Sequence, residues 1–405
     1  MENKAVVQDS TQKKENIKKV MLILFYYCLH VFAGIFEGYH RILLGLATTE
    51  GGFEHNQITA YVSFLLCIGV CFVLKYYGLR WTVCVPFGCL LLAFIILMFP
   101  SNSFFYYIGC VLNWGGLTTL QNVVFVGACS LLNGKFSATL MCVFYFFNGL
   151  GEFISAPTTT FFINLFNIGY KGGYIYLIIL MILLLIWNFL LDFNIEGVIT
   201  TKSQTSPFIS LLKTPMIWIM GCTLPFVLIT DEGSVVDIQI FLKDFGNFNA
   251  DGWKTFYYLF YCISLFIFGY VSDRIGHVIV IIASFIALIV LYILGMLLKE
   301  NGYWPFAITG VFTSILTPIY LTLLIDIFKT DCGLSVSVIY FINMAIYTFT
   351  AIFHNWLENL DHTFGFYVLI GFYIIGILLI CFNQYLLKKK ETNVQEFEQL
   401  LKPIV

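Results

Sequence analysis

The sequence predicts an all-α polytopic membrane protein, with twelve transmembrane helices in two pseudo-symmetric six-helix bundles. Three observations carry this. Of 405 residues, 60% are hydrophobic and only 11% charged, against about 25% charged in a soluble domain, so the chain lacks the polar surface to face water on all sides. Apolar runs of roughly 20 residues, the length that crosses a bilayer, recur twelve times. A polar interval divides them six and six, and short features of the first half return in the second.

In chain order, a polar tail (1–19) precedes the first bundle (20–191), whose spans are expected near 20–46, 57–75, 81–99, 104–132, 136–163 and 173–191. The first apolar run is too long for a cleaved signal and reads as a membrane helix. A linker, 192–214, follows; its run Thr200-Thr-Lys-Ser-Gln-Thr-Ser206 has nothing apolar to bury. The second bundle (215–387) has spans near 215–242, 253–271, 277–298, 303–327, 332–355 and 364–387, and a tail closes the chain at 388–405. Pro86, Pro157, Pro305 and Pro318 fall inside spans, where proline bends a helix and freed carbonyls find other partners.

Lysines and arginines set the orientation. With the N-terminus cytoplasmic, that face collects Lys13, Lys14, Lys18, Lys19, Lys75, Arg80, Lys135, Lys202, Arg274 and Lys388 to Lys390 among others. The opposite face holds only Lys171, Lys243, Lys254 and Lys299. Both termini are therefore expected in the cytoplasm, in the plasma membrane or an endolysosomal membrane. The net charge of −2 and the lack of basic, aromatic-interleaved tracts give no sign of a nucleic-acid partner. The twelve cysteines lie in or beside apolar runs without C-x-x-C spacing and read as thiols packed as small hydrophobes.

One stretch organises the second half: Phe268-Gly-Tyr-Val-Ser-Asp-Arg-Ile-Gly-His277, between two long apolar runs. Gly269, Asp273, Arg274 and Gly276 give the spacing G-x-x-x-D-R-x-G. Gly269 is expected to let the two joined helices approach, Gly276 to supply a permissive turn, and the charges to bind helix ends. Lys75, Gly78 and Arg80 occupy the same place in the first half, with Lys75 where the second half has an acid. Glu37-Gly38 likewise echoes Glu232-Gly233, and Asn148 echoes Asn343, as expected of internally repeated transporters.

On these residues the chain resembles the major facilitator superfamily, over roughly 20–387. Two stretches are similar to its nodulin-like and monocarboxylate or amino-acid carrier branches: Gly115-Gly-Leu-Thr-Thr-Leu-Gln-Asn122 with Gly134-Lys-Phe-Ser-Ala-Thr139 and Asn148-Gly-Leu-Gly151, and Leu212-Lys-Thr-Pro-Met-Ile-Trp218 with Asp231-Glu-Gly-Ser-Val-Val-Asp237. The resemblance implies the major facilitator fold, a central cavity, and transport of a small organic solute by alternating access, with the hairpins at 75–80 and 269–277 acting as cytoplasmic gates.

Ionisable groups within spans are costly and mark paths or partners. Here they include Glu37, Arg41, Glu152, Asp231, Glu232 and Asp326. At 1.5 Å per residue, Glu37, Glu152 and the Asp231-Glu232 pair fall about 25 Å above the cytoplasmic edge. Two readings stand for Glu37 and Arg41: a carboxylate-binding arginine beside a proton carrier, or an i, i+4 pair that neutralises itself. Glu152, in Asn148-Gly-Leu-Gly-Glu152, is expected to line the path or carry a proton. Asn113 falls near mid-membrane, Gln121 and Asn122 near the cytoplasmic end, and the glycines of span 4 read as packing positions. Asp326 reads as the solvated end of its helix.

The expected function is thus a secondary active or facilitative transporter of a small organic solute, best a monocarboxylate or amino acid, with protons as a candidate coupling ion. No nucleotide-binding loop, metal set or nucleophile constellation is present in the sequence, so neither an enzyme nor a cofactor is expected. The tail Glu396-Phe-Glu-Gln-Leu400-Leu401 fits an acidic dileucine signal for sorting adaptors, and equally an amphipathic helix lying on the bilayer. With the altered first hairpin, it keeps a second class open: a transporter-shaped regulator or trafficking escort that moves no solute.

Overall fold

A computed structural model of the chain describes residues 2–51, 63–100, 102–132, 134–193, 211–244, 253–328, 332–358 and 362–401. The described residues are overwhelmingly helical: α1 (Glu2–Gly51), α2 (Cys67–Tyr77), α3 (Leu79–Thr82), α4 (Cys84–Met98), α5 (Ser103–Leu131), α6 (Ser137–Phe166), α7 (Lys171–Leu190), α8 (Pro215–Asp244), α9 (Trp253–Ile275), α10 (His277–Leu298), α11 (Tyr303–Phe328), α12 (Cys332–Glu358) and α13 (His362–Leu401). Among the described residues nine helical segments are long and apolar enough to cross a membrane.

The three predicted spans outside those nine have local reasons. Span 2 is described from residue 63 onward, with its apolar helix at 64–77, and span 7 contributes an apolar 215–228 before its acidic stretch. The helix of span 4, α5, has 29 residues, about 43 Å of rise. It falls short in hydropathy because Asn113, Thr118, Thr119, Gln121 and Asn122 point inward, all of them buried except the half-buried Gln121. Thr118 and Thr119 return their hydroxyls to the carbonyls of Gly115 and Gly116, so these polar groups are satisfied within the helix.

The prolines divide into two kinds. Pro157 and Pro318 are helix-interior, as is Pro225. Pro305 instead sits in the first turn of α11, where no intrahelical bond is lost. Pro86 lies in the first turn of α4 and cannot bond to the carbonyl four residues back, at Thr82; the break between α3 and α4 falls there. Each hairpin turn hinges on one glycine at positive φ, Gly78 at 83° between α2 and α3 and Gly276 at 102° between α9 and α10. The two hairpins thus share a positive-φ glycine at the place expected from sequence.

The chain forms two compact units. The first contains residues 1–207, 265–273 and 321–341, and so takes one end of α9 and parts of α11 and α12 along with α1–α7. Its centre is the packing of α1 on α6, with α5 and α7 flanking α1 and α4 lying on α5. Glycines set the α1–α6 approach: a Cβ at Gly34 would stand 2.1 Å from the Asn148 carbonyl oxygen, and one at Gly151 would stand 2.2 Å from the Val31 carbonyl oxygen. Gly115 and Gly116 receive the side chains of Leu66 and Leu90, as packing positions should. The second unit contains 208–264, 274–320 and 342–405, with α13 packed on α8 and α10.

Candidate functional site

Every contact described here lies within the first unit unless stated. The second-half hairpin places Asp273 at the end of α9, half-buried, against the start of α6. Its Oδ1 accepts from the Ala138 amide at 3.0 Å, and its Oδ2 accepts from the Thr139 amide at 2.9 Å and the Thr139 hydroxyl at 2.6 Å. The first turn of a helix has unsatisfied N–H groups and a positive dipole end, so one remote carboxylate serves α6 as its cap. Gly269 makes room for this, since a Cβ there would meet the Thr139 Cα at 2.9 Å. The close approach at Gly269 is therefore between α9 and α6, and not between the two helices of the hairpin as the motif alone suggested. Arg274 is exposed and belongs to the second unit.

The first-half hairpin is fastened differently. With Lys75 in place of an acid, Arg80 carries the contact: its guanidinium donates to the Leu191 carbonyl oxygen at the C-terminus of α7 and lies 5.2 Å from the Phe193 ring. Asn188 returns a bond to the Arg80 carbonyl at 3.1 Å. A cation over a helix C-terminus is the electrostatic complement of an acid at an N-terminus. Nearby, Lys18 of α1 pairs with Asp192 at 2.6 Å.

Within the spans, Glu37 is half-buried on α1 and its Oε2 lies 3.5 Å from the amide nitrogen of Gln121 on α5. Gln121 Oε1 accepts from the Tyr340 hydroxyl of α12 at 2.7 Å. Counting residues put Gln121 near the cytoplasmic end and well below Glu37; the structure brings them level. Gln121 stands ten residues from the end of α5 and Tyr340 eight from the start of α12, about 15 Å and 12 Å, so these two agree and the count along α1 is the discrepant one. α1 begins at Glu2, far before its apolar run, so an edge at residue 20 is a poor origin.

Glu152 is exposed on α6 and accepts from Asn148 Nδ2 at 3.1 Å, which joins two expected path residues on one helix face. Asn113 is buried in α5. Asn343, expected from sequence to echo Asn148, is in the second unit, fully buried in α12, with neither amide atom hydrogen-bonded among the described residues. Asp326 is exposed near the end of α11. The side chains of Arg41, Asp231, Glu232, Glu396, Leu400 and Leu401 lie outside the described residues, although α1, α8 and α13 contain these positions.

Sequence reasoning missed His30. Only 2% exposed, it directs Nδ1 to the Phe144 carbonyl at 2.9 Å, stacks on the Phe144 ring at 4.1 Å, and meets Tyr145 edge-on at 5.3 Å. The available signal was an ionisable residue inside a span, two turns before Glu37 on α1.

The family model described as Major Facilitator Superfamily matches residues 233–405. Among solved structures, a major facilitator transporter, FucP, in the outward conformation is similar with a TM-score of 0.72 and 12% identity, covering 90% of this chain and 99% of that one. A second structure, of the E. coli fucose:proton symporter FucP, gives a TM-score of 0.70 at 12% identity with the same coverage. No curated protein sequence matches. The fold is thus shared with these FucP structures. Over residues 233–405 the chain matches the Major Facilitator Superfamily model, and its apolar helical segments, nine of them among the described residues, are those of an integral, multi-pass membrane protein.

Proposed function

We propose that this chain is a secondary transporter that moves a small organic solute by alternating access, coupled to protons. The observation that carries the reading is Glu37: a half-buried carboxylate within a membrane span, bonded through Gln121 to Tyr340. Such a group is costly in hydrocarbon and is retained where it meets a path or a partner. The fold shared with a fucose:proton symporter supports a small solute with proton coupling. The branch resemblance favours a monocarboxylate or amino acid as that solute. In this reading the bundles 20–191 and 215–387 rock about the substrate path, both termini are cytoplasmic, and Asp273 steadies one of the two arrangements.

The test is uptake by purified protein in proteoliposomes, with and without an imposed pH gradient, using pools of labelled monocarboxylates, amino acids and deoxy sugars. Saturable uptake that follows the gradient and is lost in Glu37→Gln or Glu152→Gln supports the reading. The first hairpin, held to its own bundle by Arg80 and lacking an acid, favours a second one, a non-transporting regulator or escort. Folded protein with no flux for any pool would select that alternative, with the tail at Glu396, Leu400 and Leu401 as its sorting signal.

A further inference from the structure

In the transporter reading Gln121 only joins Glu37 to Tyr340, and the inference drawn here rests on that reading. The Tyr340 hydroxyl donates to Gln121 Oε1 at 2.7 Å, which turns the amide oxygen toward α12. The amide nitrogen consequently faces α1, 3.5 Å from Glu37 Oε2. A phenol supplies one hydrogen, a carboxamide supplies two and accepts on its oxygen, and an ionised carboxylate only accepts. With Glu37 ionised, both contacts therefore set a hydrogen against an acceptor, and the second has charge assistance. Phe125, edge-on to Tyr340 at 5.4 Å and stacked on Tyr145 at 5.8 Å, holds the phenol ring in place.

We propose that Gln121 and Tyr340 are positioning residues that read the charge of Glu37. A proton on Oε2 faces the amide hydrogens, donor against donor. Relief requires the amide to turn over, which sets its NH2 against the Tyr340 hydroxyl and removes that hydroxyl's acceptor. A proton on Oε1 leaves Oε2 a neutral acceptor and removes the charge assistance. The first route frees the Tyr340 hydroxyl from Gln121, and the second lessens the polarisation of the amide that strengthens the same bond; both loosen the tie between residues 332–341 of α12 and α5, and proton uptake becomes freedom of that segment. Among the described residues, other titratable groups on α1 and the helices packed against it include Glu152 on α6, whose backbone lies against Gly34 and Gly38, Tyr176 on α7, whose ring is 5.5 Å from that of Tyr39, and His30 on α1; His40 and Arg41 follow Glu37 in the sequence of α1.

Infrared difference spectroscopy of the full chain in liposomes tests this during acidification between about pH 9 and pH 4. The carboxyl band absent from Glu37→Gln reports protonated Glu37, and the phenol band absent from Tyr340→Phe reports Tyr340. The proposal expects the two bands to change together in the wild type. In Tyr340→Phe and Gln121→Leu, the Glu37 band should appear at a pH higher by roughly half to one unit, the size expected for losing one hydrogen bond. Glu152→Gln should leave it in place. Tyr340→Phe removes a single atom and carries the test alone if Gln121→Leu fails to fold. A Glu37 band unmoved by Tyr340→Phe, or a phenol band unmoved while Glu37 protonates, overturns the proposal. Uptake is read separately: a coupled pair of bands without gradient-driven uptake refutes the transport reading alone, and gradient-driven uptake with uncoupled bands refutes the relay alone.

Discussion

Asp273 and Thr139, 134 residues apart, are joined twice: the Asp273 carboxylate accepts from both the amide and the hydroxyl of Thr139, at 2.9 and 2.6 Å. A capping acid is usually supplied by the residue just before its helix. Here Phe136 occupies that position without a capping bond, and α9 supplies the carboxylate. Asp273→Ala should therefore cost about 1–2 kcal/mol, the range of a lost helix cap, and Thr139→Val about 1 kcal/mol. The double variant should cost clearly less than the sum, because both remove the same hydroxyl bond. Thermal unfolding of the four proteins in detergent measures this; additive losses would show that the two residues act independently.

The α1–α6 interface makes a sharper prediction. At Gly34 an added methyl meets a backbone carbonyl oxygen at 2.1 Å, an atom that cannot swing aside, whereas at Gly149 nothing lies within 4 Å. Gly34→Ala should force the helices apart and cost more than about 3 kcal/mol, with little folded protein recovered. Gly149→Ala should be neutral or gain up to about 1 kcal/mol from helix propensity. Size-exclusion profiles and melting temperatures of the two single variants separate them directly.

This contrast also marks how far the sequence could be read. Apolar run length placed α10 at 277–298 and α11 at 303–327, against His277–Leu298 and Tyr303–Phe328, because a bilayer admits little variation in helix length. The hairpin glycines at 78 and 276 were legible because a turn between two adjoining helices demands unusual backbone. Nothing local in the chain announces that Gln121 will meet Tyr340, 219 residues away, or that Gly34 will face Asn148. Such pairings depend on which faces meet and at what height. The height estimate failed for Glu37 because α1 is much longer than its apolar run.

The two fastenings beside the first hairpin differ in kind, and so should their variants. Lys18 and Asp192 are 39% and 44% exposed, so their ion pair is largely solvated and Lys18→Ala should cost well under about 1 kcal/mol. Arg80 bonds a helix-terminal carbonyl and lies against the Phe193 ring, and Arg80→Ala should cost about 1–3 kcal/mol. Raising salt toward about 1 M should remove the Lys18 effect and leave most of the Arg80 effect. Equal sensitivity to salt would place Arg80 in the same solvated class as Lys18.

His30 allows the last prediction because the structure fixes its tautomer. The Phe144 carbonyl can only accept, so the hydrogen resides on Nδ1 and Nε2 of the neutral ring carries the lone pair. The imidazole is also packed as an aromatic, stacked on Phe144 and edge-on to Tyr145. His30→Phe keeps a ring of similar shape and deletes the hydrogen bond, so it should cost about 1 kcal/mol. His30→Ala leaves a cavity beside the α1–α6 contact and should cost about 2–4 kcal/mol. If His30 serves to pin α1 to α6, the uptake of whichever labelled pool is transported should survive His30→Phe with unchanged KM and pH profile, and fall in His30→Ala in step with the loss of folded protein. A His30→Phe variant that keeps its melting temperature and loses uptake would assign Nε2 to the solute or proton path instead, two turns below Glu37 on the same helix.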